Sequence, residues 1–168
     1  KVSDALGGKE ILINNRGSGP AIATSLQIAH YEPWFAPVED VPRGIIADVI
    51  QGGDTIRIFN VHLQSVGLKG DDYDAVREGP DAEQRKRLFS RLSTAYVARA
   101  TQARAVREAV DISPYPIILL GDFNDTPVSF TLSTLKGPNS NLLLDAFAKG
   151  GEGLGATYVG EISGLRID

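Results

Sequence analysis

Ile117-Ile118-Leu119-Leu120-Gly121-Asp122-Phe123-Asn124-Asp125-Thr126-Pro127 is the stretch on which the fold turns. Four consecutive branched aliphatics predict a strand buried on both faces. Gly121 ends that strand, and Asp122, Asn124 and Asp125 follow before Pro127 turns the chain away. An apolar strand that stops at carboxylates and an amide is how a rigid sheet presents polar chemistry at its edge. The same window also reads as an Asp/Asn-rich turn, because these side chains bond their own backbone. The rest of the chain decides between the two.

Upstream, Ile45-Ile46-Ala47-Asp48-Val49-Ile50 and Thr55-Ile56-Arg57-Ile58-Phe59-Asn60-Val61 flank Gly52-Gly53-Asp54, a strong hairpin pattern. The second of these strands runs directly into His62-Leu63-Gln64-Ser65. Residues 21–30 predict another strand, and Lys9 to Ile13 a short one. Pro33, Pro37 and Pro42 predict a broken segment around Trp34. Arg16-Gly17-Ser18-Gly19 has the glycines of a phosphate loop, but no Gly-Lys-Ser/Thr follows, and a hairpin turn accounts for it.

Lys69 to Pro80, rich in Asp and Gly, predicts an exposed loop. Asp81 with Gln84 three residues on forms a capping box for a long helix. Leu88, Leu92, Ala95, Tyr96, Arg99, Ala103, Val106 and Val110 recur at helical spacing and predict its core stripe. Arg85, Lys86, Arg87, Arg91, Arg99, Arg104 and Arg107 ride beside it; interrupted by Glu83 and Glu108, they read as a solvated face rather than a nucleic-acid surface. Ser113-Pro114 ends the helix. Ser129 caps a short helix to Leu135, and Ala156 to Val159 and Gly164 to Asp168 predict strand fragments. Strands alternating with helices, with hairpins and no repeat, define an α/β protein with mixed sheets.

Composition bounds the function. The 168 residues are 42% hydrophobic and 23% charged, the make-up of one globular domain. There is no Cys, which excludes disulfides, thiolate metal sites and a Cys nucleophile. The net charge of -4 gives no strong nucleic-acid signal, since proteins that hold duplex phosphates carry a basic footprint. An acidic balance does not forbid a nuclease, but it favours small or lipid-borne phosphate esters, or recognition by a part outside these residues. The chain opens Lys1-Val2-Ser3-Asp4 without a basic and apolar leader and contains no Met; it reads as a piece of a longer protein.

The strand ends form a constellation. One predicted strand stops at His62, another at Asp122 and Asn124, a third at Asp168. Side by side in one sheet they would bring an imidazole, two carboxylates and an amide to one edge. Phosphate-ester hydrolysis needs such a set: a carboxylate to orient water, an amide to hold nucleophile or metal, and a donor on the non-bridging oxygen. Each residue alone also has a plain structural reading.

Asn60-Val61-His62-Leu63-Gln64-Ser65, the Gly121 to Pro127 run, Thr157-Tyr158 and Leu165-Arg166-Ile167-Asp168 resemble, in order and spacing, the endonuclease/exonuclease/phosphatase superfamily. With Arg99 to Ala103 as an Arg-Ala-x-Gln-Ala stretch, the chain looks especially like members common in Bacteroidetes. The resemblance covers residues 20–168 and implies a four-layer α/β/β/α sandwich, incomplete here, and a cofactor of Mg²⁺ or Mn²⁺. It implies that His62 contacts the scissile phosphate, Asp122 orients the attacking water, Asn124 positions water or phosphate, and Asp168 holds His62. Asp122 and Asn124 are the implied metal ligands. Asp125 pins the turn.

The departures from the family pattern carry equal weight. The family's N-terminal Asn, its Gln-Glu metal ligand and its C-terminal Asp-His run are not in these residues. The expectation is therefore a single domain over 1–168, truncated at both ends, a phosphoester hydrolase whose piece here is inactive. Exposed sheet edges would invite self-association. The alternative is a non-catalytic binding or scaffold domain derived from this fold.

Overall fold

The computed structural model describes residues 10–13, 19–138, 143–153, 155–158 and 166–168. Its centre is a four-stranded mixed sheet in the order β3-β4-β5-β6, built from Gln27–Phe35, Pro42–Gln51, Asp54–His62 and Ile117–Asp122. β3, β4 and β5 are antiparallel neighbours, and β6 joins β5 in parallel. A second, two-stranded antiparallel ribbon pairs β1 (Glu10–Ile13) with β2 (Ala21–Thr24).

The β4–β5 hairpin is the one expected. Gln51 pairs with Asp54, and Gly52 and Gly53 between them have φ of 63° and 95°. Positive φ at both central residues is the requirement of a two-residue turn matched to the sheet's twist.

Period-two alternation divides the sheet into two faces. Ile46, Phe59 and Val61 point to one side and pack with Trp34, Phe123 and Leu135 against Ala103, Val106 and Val110 of a 30-residue helix. Ile45 and Ala47 point to the other side, where Ile22 of the β1–β2 ribbon packs on them beside Ile28 and Ile58. The sheet is thus sandwiched between a helical layer and a ribbon.

Helices α1 (Gly70–Glu78), α2 (Ala82–Asp111), α3 (Phe130–Lys136) and α4 (Ala146–Gly150) complete the described elements. α2 begins as expected: Gln84 N–H donates to Asp81 Oδ1 at 2.8 Å, and Asp81 N–H to Gln84 Oε1 at 2.8 Å. Ser129 caps α3 through Leu132 N–H at 3.2 Å. None of the described helices is long and apolar enough to cross a membrane.

Several expectations are corrected. Lys69 to Pro80 is not a loop: α1 spans most of it, started by the Asp72 carboxylate accepting Lys69 N–H at 2.9 Å. Aspartate in a first helical turn meets exposed N–H groups and the positive end of the helix dipole, which offsets the poor propensity of the Asp/Gly sequence. Residues 21–30 form two strands, β2 and β3, separated at Ser25 and Leu26, where Leu26 N–H donates to Thr24 Oγ1 at 3.0 Å. Pro33 does not break β3; the strand runs through it opposite Ile45, with only β4 alongside among the described residues. Proline is tolerated where its missing N–H would face away from a ladder.

β6 is not buried on both faces. Ile118 is 46% and Leu120 42% exposed, because the ribbon covers β4 and β5 rather than β6. The predicted stripe of α2 is shifted: Ala95, Arg99, Gln102, Ala103, Val106 and Val110 are buried, whereas Leu88 and Leu92 are half-buried and Tyr96 is exposed. Arg99, expected both on the core stripe and among the basic residues beside it, lies in the interior. Ala156 to Tyr158 and residues 166–168 are described without strand structure; the rest of the two predicted fragments, Val159, Gly164 and Leu165, falls outside the described residues.

Candidate functional site at the ends of the parallel strands

β5 and β6 run parallel and in register, Asn60 opposite Leu120, Val61 opposite Gly121 and His62 opposite Asp122. Both last side chains therefore emerge on the same face of the same sheet, at its carboxyl end. In sheets with parallel strands this is where ligands are met, because the loops diverge there.

Gly121 makes the approach possible. A Cβ placed on it would lie 1.9 Å from the Val61 carbonyl oxygen, and its φ of +133° is open mainly to glycine. The pairing continues one step beyond the strands, with Leu63 N–H donating to the Asp122 carbonyl at 2.9 Å.

His62 Nε2 stands 3.8 Å from Asp122 Oδ2, with the two side chains 46% and 39% exposed. The distance is outside direct hydrogen-bond range and within that of an ion pair once the imidazole is protonated. Neither group is consumed by the other. The second carboxylate oxygen, Oδ1, accepts Asn124 N–H at 2.9 Å, an Asx turn that aims the carboxylate.

Asn124 itself has φ of +52°, a left-handed conformation that asparagine enters more readily than most residues. Its Nδ2 donates to the Leu63 carbonyl at 3.1 Å, so the amide bridges the loop after β6 to the segment after β5. That leaves Oδ1 as the amide atom without a hydrogen bond to a described residue. His62, Asp122 and Asn124 are thus brought together by the structure.

Asp168 is not brought to His62. It forms no hydrogen bond or ion pair among the described residues and instead lines a groove of about 620 Å³ with Gly121, Phe123, Phe147 and Arg166. Its neighbour Ile167 does reach the site loop, its carbonyl accepting Phe123 N–H at 3.0 Å. Arg166 bonds the Asp145 carboxylate and stacks over Phe147 at 5.0 Å. Burial alone would push the Asp145 carboxyl up, but Arg166 and the Ala148 N–H together hold it below the usual carboxylate range.

Asp125 keeps its expected task, Oδ1 accepting Thr126 N–H at 3.0 Å, and has a larger one. Its Oδ2 accepts from Thr131 Oγ1 at 2.7 Å and from Arg99 Nε at 3.2 Å, in a pair whose side chains are 6% and 2% exposed. Gln102, equally buried, was outside the expected set. Its signal was present: Arg99 and Gln102 are polar residues on the stripe that Ala95, Ala103 and Val106 mark as inward.

The oxygen atoms offered by Asp122 and Asn124 are hard donors of the kind Mg²⁺ and Mn²⁺ take, and the site is open enough for water or substrate to fill further positions. They do not form a closed site. Among the described residues there is no group of three or more His, Asp or Glu side chains placed to hold a metal ion.

Fold and site together define an α/β protein with an imidazole, a carboxylate and an amide converging at the carboxyl ends of two parallel strands. Among solved structures the chain is similar to sphingomyelinase C from Streptomyces griseocarneus, at 16% identity over 69% of this chain and 36% of that one, with a TM-score of 0.44. It is also similar to a double mutant of beta toxin from Staphylococcus aureus with bound magnesium ions, at 14% identity over 69% and 37%, with a TM-score of 0.43. The chain spans a little over a third of the length of these proteins. No protein-family model and no curated protein matches it.

Proposed function

We propose that the chain carries the site of a metal-dependent phosphoester hydrolase of the endonuclease/exonuclease/phosphatase type, within a four-layer α/β/β/α sandwich. The observation that carries the reading is the in-register pair His62 and Asp122, 3.8 Å apart and open to solvent, with Asn124 tied to both strand ends.

In this reading His62 donates a hydrogen bond to a non-bridging phosphate oxygen and stabilises the charge that grows there. Asp122 orients the attacking water through Oδ2, its Oδ1 being held by the Asn124 N–H. Asn124 presents its amide oxygen, since its nitrogen is engaged on Leu63. Asp122 and Asn124 would hold Mg²⁺ or Mn²⁺, which when bound neutralises phosphate charge. The substrate is a phosphate ester, small, lipid-borne or nucleic acid, with the acidic charge favouring the first two. Self-association through exposed sheet edges belongs to the same proposal.

Hydrolysis of bis-p-nitrophenyl phosphate tests the reading, by this chain and by a longer protein that contains it, each with Mg²⁺, with Mn²⁺ and with chelator. The expected result is metal-dependent turnover in the longer protein and none in the isolated residues. Folded protein with no turnover in either form would favour a binding domain instead.

A further inference from the structure

Leu63 to Lys69 has no regular structure, so the backbone polar groups just past His62 need partners other than a strand. At Gln64 both come from α2. Gln64 N–H donates to Gln102 Oε1 at 2.8 Å, and the Gln64 carbonyl accepts from Arg99 Nη1 at 2.8 Å. Arg99 and Gln102 are each 1% exposed.

Each of these side chains is also anchored on its far side. Gln102 Nε2 donates to Glu39 Oε1 at 2.7 Å, and Glu39 is paired through its other oxygen with Arg43. Arg43 in turn donates to Gln64 Oε1 at 2.8 Å. Arg99 Nε reaches Asp125, which Thr131 also holds. One guanidinium therefore grips both site-bearing segments, the one after β5 at Gln64 and the one after β6 at Asp125.

A buried arginine is a costly way to fill space. Its desolvation offsets much of the attraction to its partner, and an apolar replacement of the pair is often as stable. What the polar pair supplies and an apolar one does not is direction, through a planar fork with fixed donor geometry.

We infer that Arg99 and Gln102 are positioning residues, which clamp Gln64 from α2 and thereby set His62 against Asp122 and Asn124. Strand pairing aligns the two segments only as far as Leu63 and Asp122; the clamp holds them where they leave the sheet. The catalytic meaning of this device rests on the hydrolase reading, but the positioning can be read on the folded chain without any reaction.

The chain has two histidines, so His30 on β3 serves as an internal control for His62. The experiment compares ring ¹H–¹³C signals of both histidines, and amide hydrogen exchange, in wild type, Gln102→Met and Arg99→Lys. In Gln102→Met the Gln64 amide should exchange about tenfold faster, the scale of one lost hydrogen bond. The His62 signal should move while His30 and the Phe59 and Val61 amides stay. Arg99→Lys, which keeps the charge and loses the fork, should also move His62.

The double exchange Glu39→Gln with Gln102→Glu keeps an acceptor for Gln64 N–H and a donor facing it, and should return Gln64 exchange and the His62 signal toward wild type. It also reads the clamp if Gln102→Met does not fold. An unmoved His62 signal beside a faster Gln64 amide overturns the inference. So does acceleration of the β5 amides together with Gln64, or failure of the double exchange to restore the site. A shifted and rescued His62 signal in this chain, beside a longer protein that contains it and hydrolyses nothing with either metal, would retain the clamp and remove the hydrolase reading.

Discussion

Gly121 and Val61 approach so closely across the parallel β5–β6 pair that a single added methyl would sit 1.9 Å from the Val61 carbonyl oxygen. The contact is with backbone, so no rotamer change relieves it, and the φ of +133° adds strain for any side chain. Gly121→Ala is therefore expected to destabilise the protein by about 3 kcal/mol or more, combining a steric clash with a special backbone conformation. Urea denaturation checks this. An unchanged midpoint would mean that β6 does not lie against β5 as described.

His62 sits one register step beyond that contact. In a protein with phosphoesterase turnover, His62→Ala is expected to lower the rate by about 10²–10⁴, the scale for losing an acid/base or preorganised donor. Because the side chain is 46% exposed, thermal unfolding should hardly move. Steady-state kinetics with a thermal melt checks both, and near wild-type turnover would remove His62 from the site.

Asp122 is expected to behave differently from its neighbour. Asp122→Asn keeps an oxygen for the Asn124 N–H but loses the charge facing His62 and any metal ion. The expected outcome is a rate loss of similar size, about 10²–10⁴, that excess Mg²⁺ does not recover. Recovery at high metal concentration would assign Asp122 to cation affinity alone.

The buried pair Arg99–Asp125 makes the largest stability prediction away from glycine. Asp125→Ala removes the carboxylate that Arg99, Thr131 and the Thr126 N–H share, leaving a guanidinium buried with the Gln64 carbonyl as its remaining hydrogen-bond acceptor. Removing one member of a buried pair costs about 3–5 kcal/mol. Chemical denaturation checks the size, and a loss below about 1 kcal/mol would show that water reaches Arg99.

Acid should loosen the α4 corner through Asp145. Its carboxyl is below the usual range in the folded protein, so its contribution is complete above the unfolded value of about 4 and is lost as the pH falls through the folded value. The Ala148 N–H, which donates to Asp145 Oδ1 at 3.1 Å, should report the loss by faster exchange below about pH 4. Asp145→Asn should abolish that pH dependence, and its persistence in the variant would place the titrating group elsewhere.

Local chemistry was legible in the residues themselves. The Gly52-Gly53 turn, the Asp81/Gln84 capping box, the Ser129 cap and the existence of strands ending at His62 and Asp122 each follow from side chains acting on backbone within a few positions. So did the polar cluster at Asp122 and Asn124, because glycine followed by short polar side chains has few other uses after an apolar strand. Where several local preferences competed, reading failed. Lys69 to Pro80 became a helix started by the Asp72 carboxylate on the Lys69 N–H, and β3 runs through Pro33, where β4 is its neighbour among the described residues.

Only the tertiary structure decided which distant residues share a contact. Parallel register put His62 beside Asp122, the position of the ribbon left Ile118 and Leu120 uncovered, and the packing of α2 brought the Arg99 and Gln102 side chains to the Gln64 backbone. None of these is a property of a short window. Each depends on how elements far apart in the chain divide one core between them, and periodicity within an element carries no record of its neighbours. The residues capable of the chemistry were determined by the sequence; the 3.8 Å between two of them, and the clamp behind them, by the fold.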